Sequence, residues 1–147
     1  MRILKVLTPL RIRGNLGERA AAKHLRRAGY KILAHNYVVD GVGEIDIIAK
    51  RDGTTVIVEV KTRRQDTLKP GERPADAVTG EKRRRLLTAG AVYHGRHGRG
   101  TRLRFDIIEV CTDDIKGKER AAEIKHIIGA FDGSELKGSA KRHFNAH

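Results

Sequence analysis

The sequence predicts an α/β protein: a mixed central sheet flanked by helices, in the order helix, three strands, helix, strand. Three observations carry that expectation. "DG" at Asp52–Gly53 separates two alternating apolar runs, "GEIDIIAKR" and "TTVIVEVKT", the signature of a two-residue type I′ hairpin. The alanine-rich "GNLGERAAAKHLRRAG" precedes the hairpin as a helical pattern. A second helical stretch then joins the Val56–Lys61 strand to a further strand at Leu103–Val110, a step that suggests a right-handed crossover between parallel strands. Elements in that order fit a layered α/β arrangement.

Taken along the chain, the first helix spans Gly14 to Gly29, the closing glycine suiting a C-terminal cap. "YKILAHNYVV" reads as a strand and "DGVG" as a turn into the hairpin, so the first three strands form a meander. "TRRQDTLKPGERPADAV", with Pro70, Gly71 and Pro74, is a long loop that is either functional or partly disordered. "TGEKRRRLLTAGAVYH" is the second helix, with Thr79 placed to cap it. "GRHGRG" is a flexible break and "TRLRFDIIEV" a strand, while "AAEIKHIIGAF" has no clear assignment. The organisation is a basic extension over residues 1–13, one domain over 14–131 and a disordered polar tail over 132–147.

Composition bounds the partners. Lys and Arg number 31 against 18 acids, a formal net charge of +13 in 147 residues. Such a surplus calls for a polyanion, nucleic acid before anionic membrane, because no basic amphipathic helix with bulky apolar residues is present. The one cysteine, Cys111, fits a reducing compartment, and no stretch reaches the ~20 apolar residues of a membrane span. A soluble cytoplasmic protein that binds nucleic acid, with DNA favoured and RNA open, is the expectation.

The hairpin contains an anomaly. With Asp52–Gly53 as the turn, Arg51 faces Thr54, Ile48 faces Ile57 and Asp46 faces Glu59. Alternation sets Glu59 and Lys61 on one face of their strand, with Val56, Val58 and Val60 on the other. Two carboxylates ~5 Å apart repel by about 3 kcal/mol at an effective dielectric near 20, so something must compensate. Lys61 can do so as a salt bridge, and a divalent cation can do so more fully. Glu18 shares a helical stripe with Ala21, Ala22 and Leu25, so it either points toward the sheet or stays half-solvated near its helix start. Lys82 shares one with Leu86, Ala89 and Tyr93. It is either a lysine whose stem lies along apolar surface or a second cation at the site. From Lys82 to Arg104 there are eight Lys/Arg residues and no acid. Lys82, Arg83 and Arg84 on the helix, with the strip Arg96, Arg99, Arg102 and Arg104, are the candidate contacts to nucleic-acid phosphates. Tyr93 belongs in the core, and His94 and His97 lack the neighbours of a metal site.

"GEIDIIA" followed by "VIVEVKTR" resembles the D…ExK signature of the restriction-endonuclease-like PD-(D/E)XK superfamily. In order and spacing, "GNLGERAAAKHLRRAGYKILAHNY", "GEIDII", "VEVKTR", "VTGEKRRRL", "RFDII" and the late "GAF" resemble the YraN-like family of small predicted endonucleases, over Gly14 to Phe131. The resemblance implies a restriction-endonuclease-like αβββαβ core with the site on the sheet face toward the first helix. It implies Asp46 and Glu59 as metal-binding acids, Lys61 as the catalytic lysine and Glu18 as the helix acid of the resolvase-like branch. Ile45 stands where the superfamily name has proline.

The chemistry that follows is Mg²⁺- or Mn²⁺-dependent hydrolysis of DNA phosphodiesters, with the Val60 backbone carbonyl as a further metal ligand. The expected enzyme is an endonuclease selective for structure, branched or single-stranded, rather than for sequence. A homodimer would be needed to cut both strands of a junction. The alternative is a non-catalytic nucleic-acid-binding module on the same fold, RNA- or ribonucleoprotein-associated. A third reading is a basic scaffold for an acidic protein.

Overall fold

The computed structural model describes residues 16–132. The extension over 1–13 and the tail from residue 133 lie outside the described residues. Helix α1 (Leu16–Arg27) leads into a meander of β1 (Lys31–Val39), β2 (Gly43–Arg51) and β3 (Thr54–Arg64). Two short 3₁₀ turns (Gln65–Thr67, Pro74–Ala77) precede α2 (Gly80–His97), β4 (Arg102–Ile115) and β5 (Lys118–Phe131). The sheet order is β1-β2-β3-β4-β5, parallel only between β3 and β4. It is the expected mixed sheet flanked by helices, consistent with a restriction-endonuclease-like core.

The hairpin register is the one that the turn dictates, Arg51 opposite Thr54 and Ile48 opposite Ile57. Asp52 and Gly53 both have positive φ, 48° and 73°, as a type I′ turn requires. The unassigned stretch "AAEIKHIIGAF" proves to be the second half of an antiparallel hairpin turning at Lys116 and Gly117, φ 53° and 78°. A lysine in the left-handed region gives no such signal in sequence, unlike the aspartate of "DG". The expected break "GRHGRG" begins late, since α2 continues to His97 and Gly98 donates its amide to the His94 carbonyl.

Each face of the sheet buries one helix. Ala21, Ala22 and Leu25 of α1 pack on Ile47, Val56, Val58, Val60, Ile108 and Val110. Leu86, Leu87, Ala89 and Tyr93 of α2 pack on Ile45, Ile48, Ile57, Phe105 and Ile107. Close approach requires glycine at two places. A Cβ on Gly90 would lie 2.5 Å from the Phe105 ring, and one on Gly17 would lie 1.7 Å from the Thr62 hydroxyl.

Burial also explains a polar cluster under α1. Asp106 is fully buried and takes four hydrogen bonds: two from Arg104 (2.9 and 2.8 Å), one from His126 (2.7 Å) and one from the Gly129 amide (3.0 Å). Burial works against its charge, yet the bonds from His126, Arg104 and Gly129 hold its carboxyl below the ordinary value. Arg104 also reaches the Tyr30 hydroxyl at 2.6 Å, so the cluster ties β4, β5 and the end of α1 together.

Candidate active site

Asp46 is where β2 stops behaving as a regular strand. Ile48 and Ala49 alternate between the two cores, but Ile45 and Ile47 lie in opposite cores although they are two residues apart. The β2–β3 ladder ends at Ile47 opposite Val58, and beyond it the Asp46 carboxylate accepts from the Val60 amide at 2.9 Å. A side chain thus replaces the backbone acceptor that the ladder would have supplied. Within a strand the N–H and C=O of one residue point to the same neighbour, so the Val60 carbonyl is directed to the Asp46 side as well.

Glu59 follows Ile57 onto the α2 face of β3, with Val58 and Val60 on the α1 face. This corrects the expectation that the site faces the first helix: the central carboxylate looks toward the second. Its side chain is 4% exposed, and two lysines meet the same oxygen, Lys82 Nζ at 2.8 Å and Lys61 Nζ at 3.3 Å. The inward position of Lys82 therefore ends on an acid and not only on apolar surface. Thr79 caps α2, its hydroxyl accepting from the Lys82 amide at 3.4 Å, and so fixes where the first turn presents that lysine.

Asp46, Glu59, Thr79 and Lys82 line a cleft of about 630 Å³ with Glu18, Glu44, Glu81 and Arg85, while Lys61 is tied to it through Glu59. The electrostatics follow from crowding. Burial and then the Glu59 charge push the Asp46 carboxyl up to about 7. Burial, with Glu44 and Glu59 adding and His35 opposing, also raises Glu18. Burial and the neighbouring Lys82 lower Lys61. Lys82 is raised instead: burial opposes its charge, but bonds to Glu59 and Lys61 and the field of both acids outweigh it.

The donor set suits a hard cation in part. Asp46 and Glu59 offer carboxylate oxygens and Val60 a carbonyl, and Mg²⁺ commonly uses only one or two carboxylates with waters and phosphates completing its shell. Among the described residues no group of three or more His, Cys, Asp or Glu side chains converges to hold a metal by itself. Glu18 therefore belongs to the wall and its field rather than to a preformed cage.

The basic residues divide. Lys82 is in the cleft, while Arg84 is exposed on the same turns of α2 and the Arg83 guanidinium lies 5.9 Å from the Phe131 ring centroid. Arg96, Arg99 and Arg102 are exposed but lie at the other end of the strands. Arg102 sits beside Thr54, five residues before Glu59, or roughly 16 Å away along β3. Arg104 does not stand in a basic strip at all. It lies within β4, where its guanidinium neutralises buried Asp106. Tyr93 is buried, its ring edge-on to Tyr37. The 62–78 stretch, expected as a long loop either functional or partly disordered, is pinned to β4 at its middle: Glu109, buried, accepts from Arg73 at 2.5 Å and from the Ala75 amide at 3.0 Å.

Sequence reasoning missed Glu44, Glu81 and Arg85 at the cleft and the whole Asp106 cluster. Arg85 had a signal, being one turn from Lys82 and four residues from Glu81, with which it pairs at 2.6 Å. The Asp106 cluster had none beyond the Arg104–Asp106 spacing, because Tyr30, His126 and Gly129 join it through tertiary contact alone.

Comparisons with known proteins agree with the sequence blocks. Residues 17–110 match the model of "Uncharacterised protein family UPF0102". A UPF0102 protein of Moorella thermoacetica is 42% identical over 122 residues, covering 82% of this chain and 96% of that protein. One from Symbiobacterium thermophilum is 46% identical over 101 residues, 66% of this chain and 80% of its own length. One from Corynebacterium efficiens is 40% identical over 123 residues, 82% and 93% respectively.

Proposed function

This chain belongs to the UPF0102 family, and from the chemistry of its cleft we propose that it is a metal-dependent endonuclease hydrolysing DNA phosphodiester bonds. The observation that carries the reading is the meeting of Asp46, Glu59, Lys61 and Lys82 around one carboxylate oxygen and one broken ladder. Two buried acids in each other's field are a standing cost to a fold. A binding surface for polyanions gains nothing from them, whereas a cation site does.

Asp46, Glu59 and the Val60 carbonyl are the groups that would hold Mg²⁺ or Mn²⁺. A bound cation supplies Lewis-acid polarisation of a phosphoryl oxygen and a more acidic water. The protein's own groups do the rest. To hold the cation, Asp46 would have to release the proton that its raised pKa retains, and Glu59 would have to give up part of its lysine pairing. Lys61 and Lys82, once released from that pairing, are placed to stabilise charge developing on the phosphate. Glu18 keeps the wall of the cleft acidic and so favours cation entry. Among the described residues no element is presented for groove reading, so recognition rests on backbone and shape, which suits branched or single-stranded DNA in the cytoplasm.

Incubation with labelled single-stranded, duplex, flap and four-way-junction DNA and with RNA, in Mg²⁺, Mn²⁺ or EDTA, tests this. Cleavage that requires metal and disappears in Glu59→Ala and Lys61→Ala supports it. A second reading, a nucleic-acid-binding module that does not cut, is favoured by the lack of a three-ligand cluster among the described residues. Binding without cleavage in either metal would select it.

A further inference from the structure

The turn of α1 that sends Glu18 into the cleft also borders a second concavity. This groove of about 480 Å³ lies between α1 and β5, its walls carrying Arg19, Lys23 and Arg27 over a floor that includes Ala20, Ala121 and Ile124. All three cations are exposed, and among the described residues no carboxylate pairs with them or lines the groove. Their spacing of four residues puts them on one face of the helix, about 6 Å apart along its axis.

We infer that Arg19, Lys23 and Arg27 form the track that holds the phosphate backbone of a DNA strand running from the carboxylate cleft along α1. The inference rests on the nuclease reading for the cleft's role as its starting point. A charged helix face is most often only solvated, but three features single this one out. It is concave, because Ala20 and Ala121 leave a trough between helix and strand that can take sugar and base edges. It is of one sign, so among the described residues nothing on its walls neutralises the three charges. It also begins at the same turn of α1 as the cleft wall, since Glu18 lines the cleft and the next residue, Arg19, lines the groove. A strand in B-form geometry carries one charge per ~3.4 Å of rise, so cations about 6 Å apart meet it at every second phosphate. The basic strip at Arg96, Arg99 and Arg102 has the charge but lies at the wrong end of the sheet.

The test is binding of the full-length protein to labelled single-stranded and duplex DNA in EDTA, over a series of KCl concentrations. The triple variant Arg19→Gln/Lys23→Gln/Arg27→Gln is compared with Arg96→Gln/Arg99→Gln/Arg102→Gln, both checked for an unchanged Tm. Three lost phosphate contacts flatten the slope of log K against log salt by about 2 on single strands and nearer 3 on duplex, and weaken binding about 10- to 100-fold. The second variant should bind nearly as the wild type does. An unchanged slope in the α1 variant, a larger loss in the control variant, or binding of anionic vesicles in place of DNA would overturn the track. EDTA separates the two ideas. A protein that never cuts yet loses slope in the α1 variant contradicts the nuclease and keeps the track, while one that cuts with its slope unchanged does the reverse.

Discussion

Lys82 and Glu59 meet at 2.8 Å, closer than the 3.3 Å at which Lys61 reaches the same oxygen. The motif lysine is thus the more distant of two counter-ions, and the nearer one comes from another element, the first turn of α2. Two lysines meet the one ionised acid, Glu59, while Asp46 beside it holds its proton to about pH 7, so no cation is needed to offset the charge. That balance lets the metal-free protein carry a buried carboxylate at all.

Removing Lys82 should unbalance the set. Lys82→Ala leaves Glu59 to Lys61 alone and is expected to lower stability by about 1–2 kcal/mol in EDTA, less than for a fully buried pair because the Lys82 side chain is 42% exposed. Saturating Mg²⁺ should shrink the difference, since the cation takes over the role. Chemical denaturation with and without metal measures both.

Asp46 makes stability depend on pH. Its folded carboxyl holds a proton to about pH 7, whereas the unfolded group releases it near 3.8. Between those values the folded state binds the extra proton, so stability falls as pH rises through the window. Asp46→Asn keeps an acceptor for the Val60 amide and loses this slope. Its stability relative to wild type in EDTA should climb by up to a few kcal/mol from pH 4 to pH 7.5, at about 1.4 kcal/mol per pKa unit. Thermal unfolding across that range gives the comparison.

Asp106 should behave in the opposite sense. Its carboxyl is held below the ordinary value, so its contribution is complete above about pH 4 and is lost as pH falls through the lower, folded pKa. Asp106→Ala strands Arg104 and should cost about 3–5 kcal/mol at pH 7. That cost should shrink as pH falls and the wild-type carboxyl itself takes up a proton.

Gly17 tests the seat of α1. Gly17→Ala puts a methyl into the Thr62 hydroxyl and should cost about 1–3 kcal/mol, and Gly17→Ala/Thr62→Ala, which removes that hydroxyl, should recover part of it. Recovery, measured as Tm, distinguishes a local clash from loss of helix.

The legible and illegible parts of this molecule divide by range. The Asp52–Gly53 turn fixed the β2–β3 register because a two-residue loop leaves no freedom, and period-two alternation placed Glu59 and Lys61 together. The helical stripes of Glu18 and Lys82 showed an inward direction but not a destination, since a stripe does not say which acid lies opposite. The face toward α1 was implied by the family resemblance, whereas Glu59 follows Ile57 to the α2 face, and the break in alternation at Asp46, which lets β2 serve both cores, leaves no trace in residue type. Arg104 was misassigned for a related reason: in "RLRFD" a strand arginine two residues from a buried aspartate looks like one more member of a basic run.

The most direct measurement is a Mn²⁺ titration of the metal-free protein, followed by the electron paramagnetic resonance signal of unbound Mn²⁺, at pH 6 and pH 8. One site per chain, tighter at pH 8 because Asp46 must release its proton, and absent in Asp46→Asn and Glu59→Gln, is the predicted result. Unchanged binding in both variants, or no binding at either pH, would contradict a cation site built on Asp46 and Glu59.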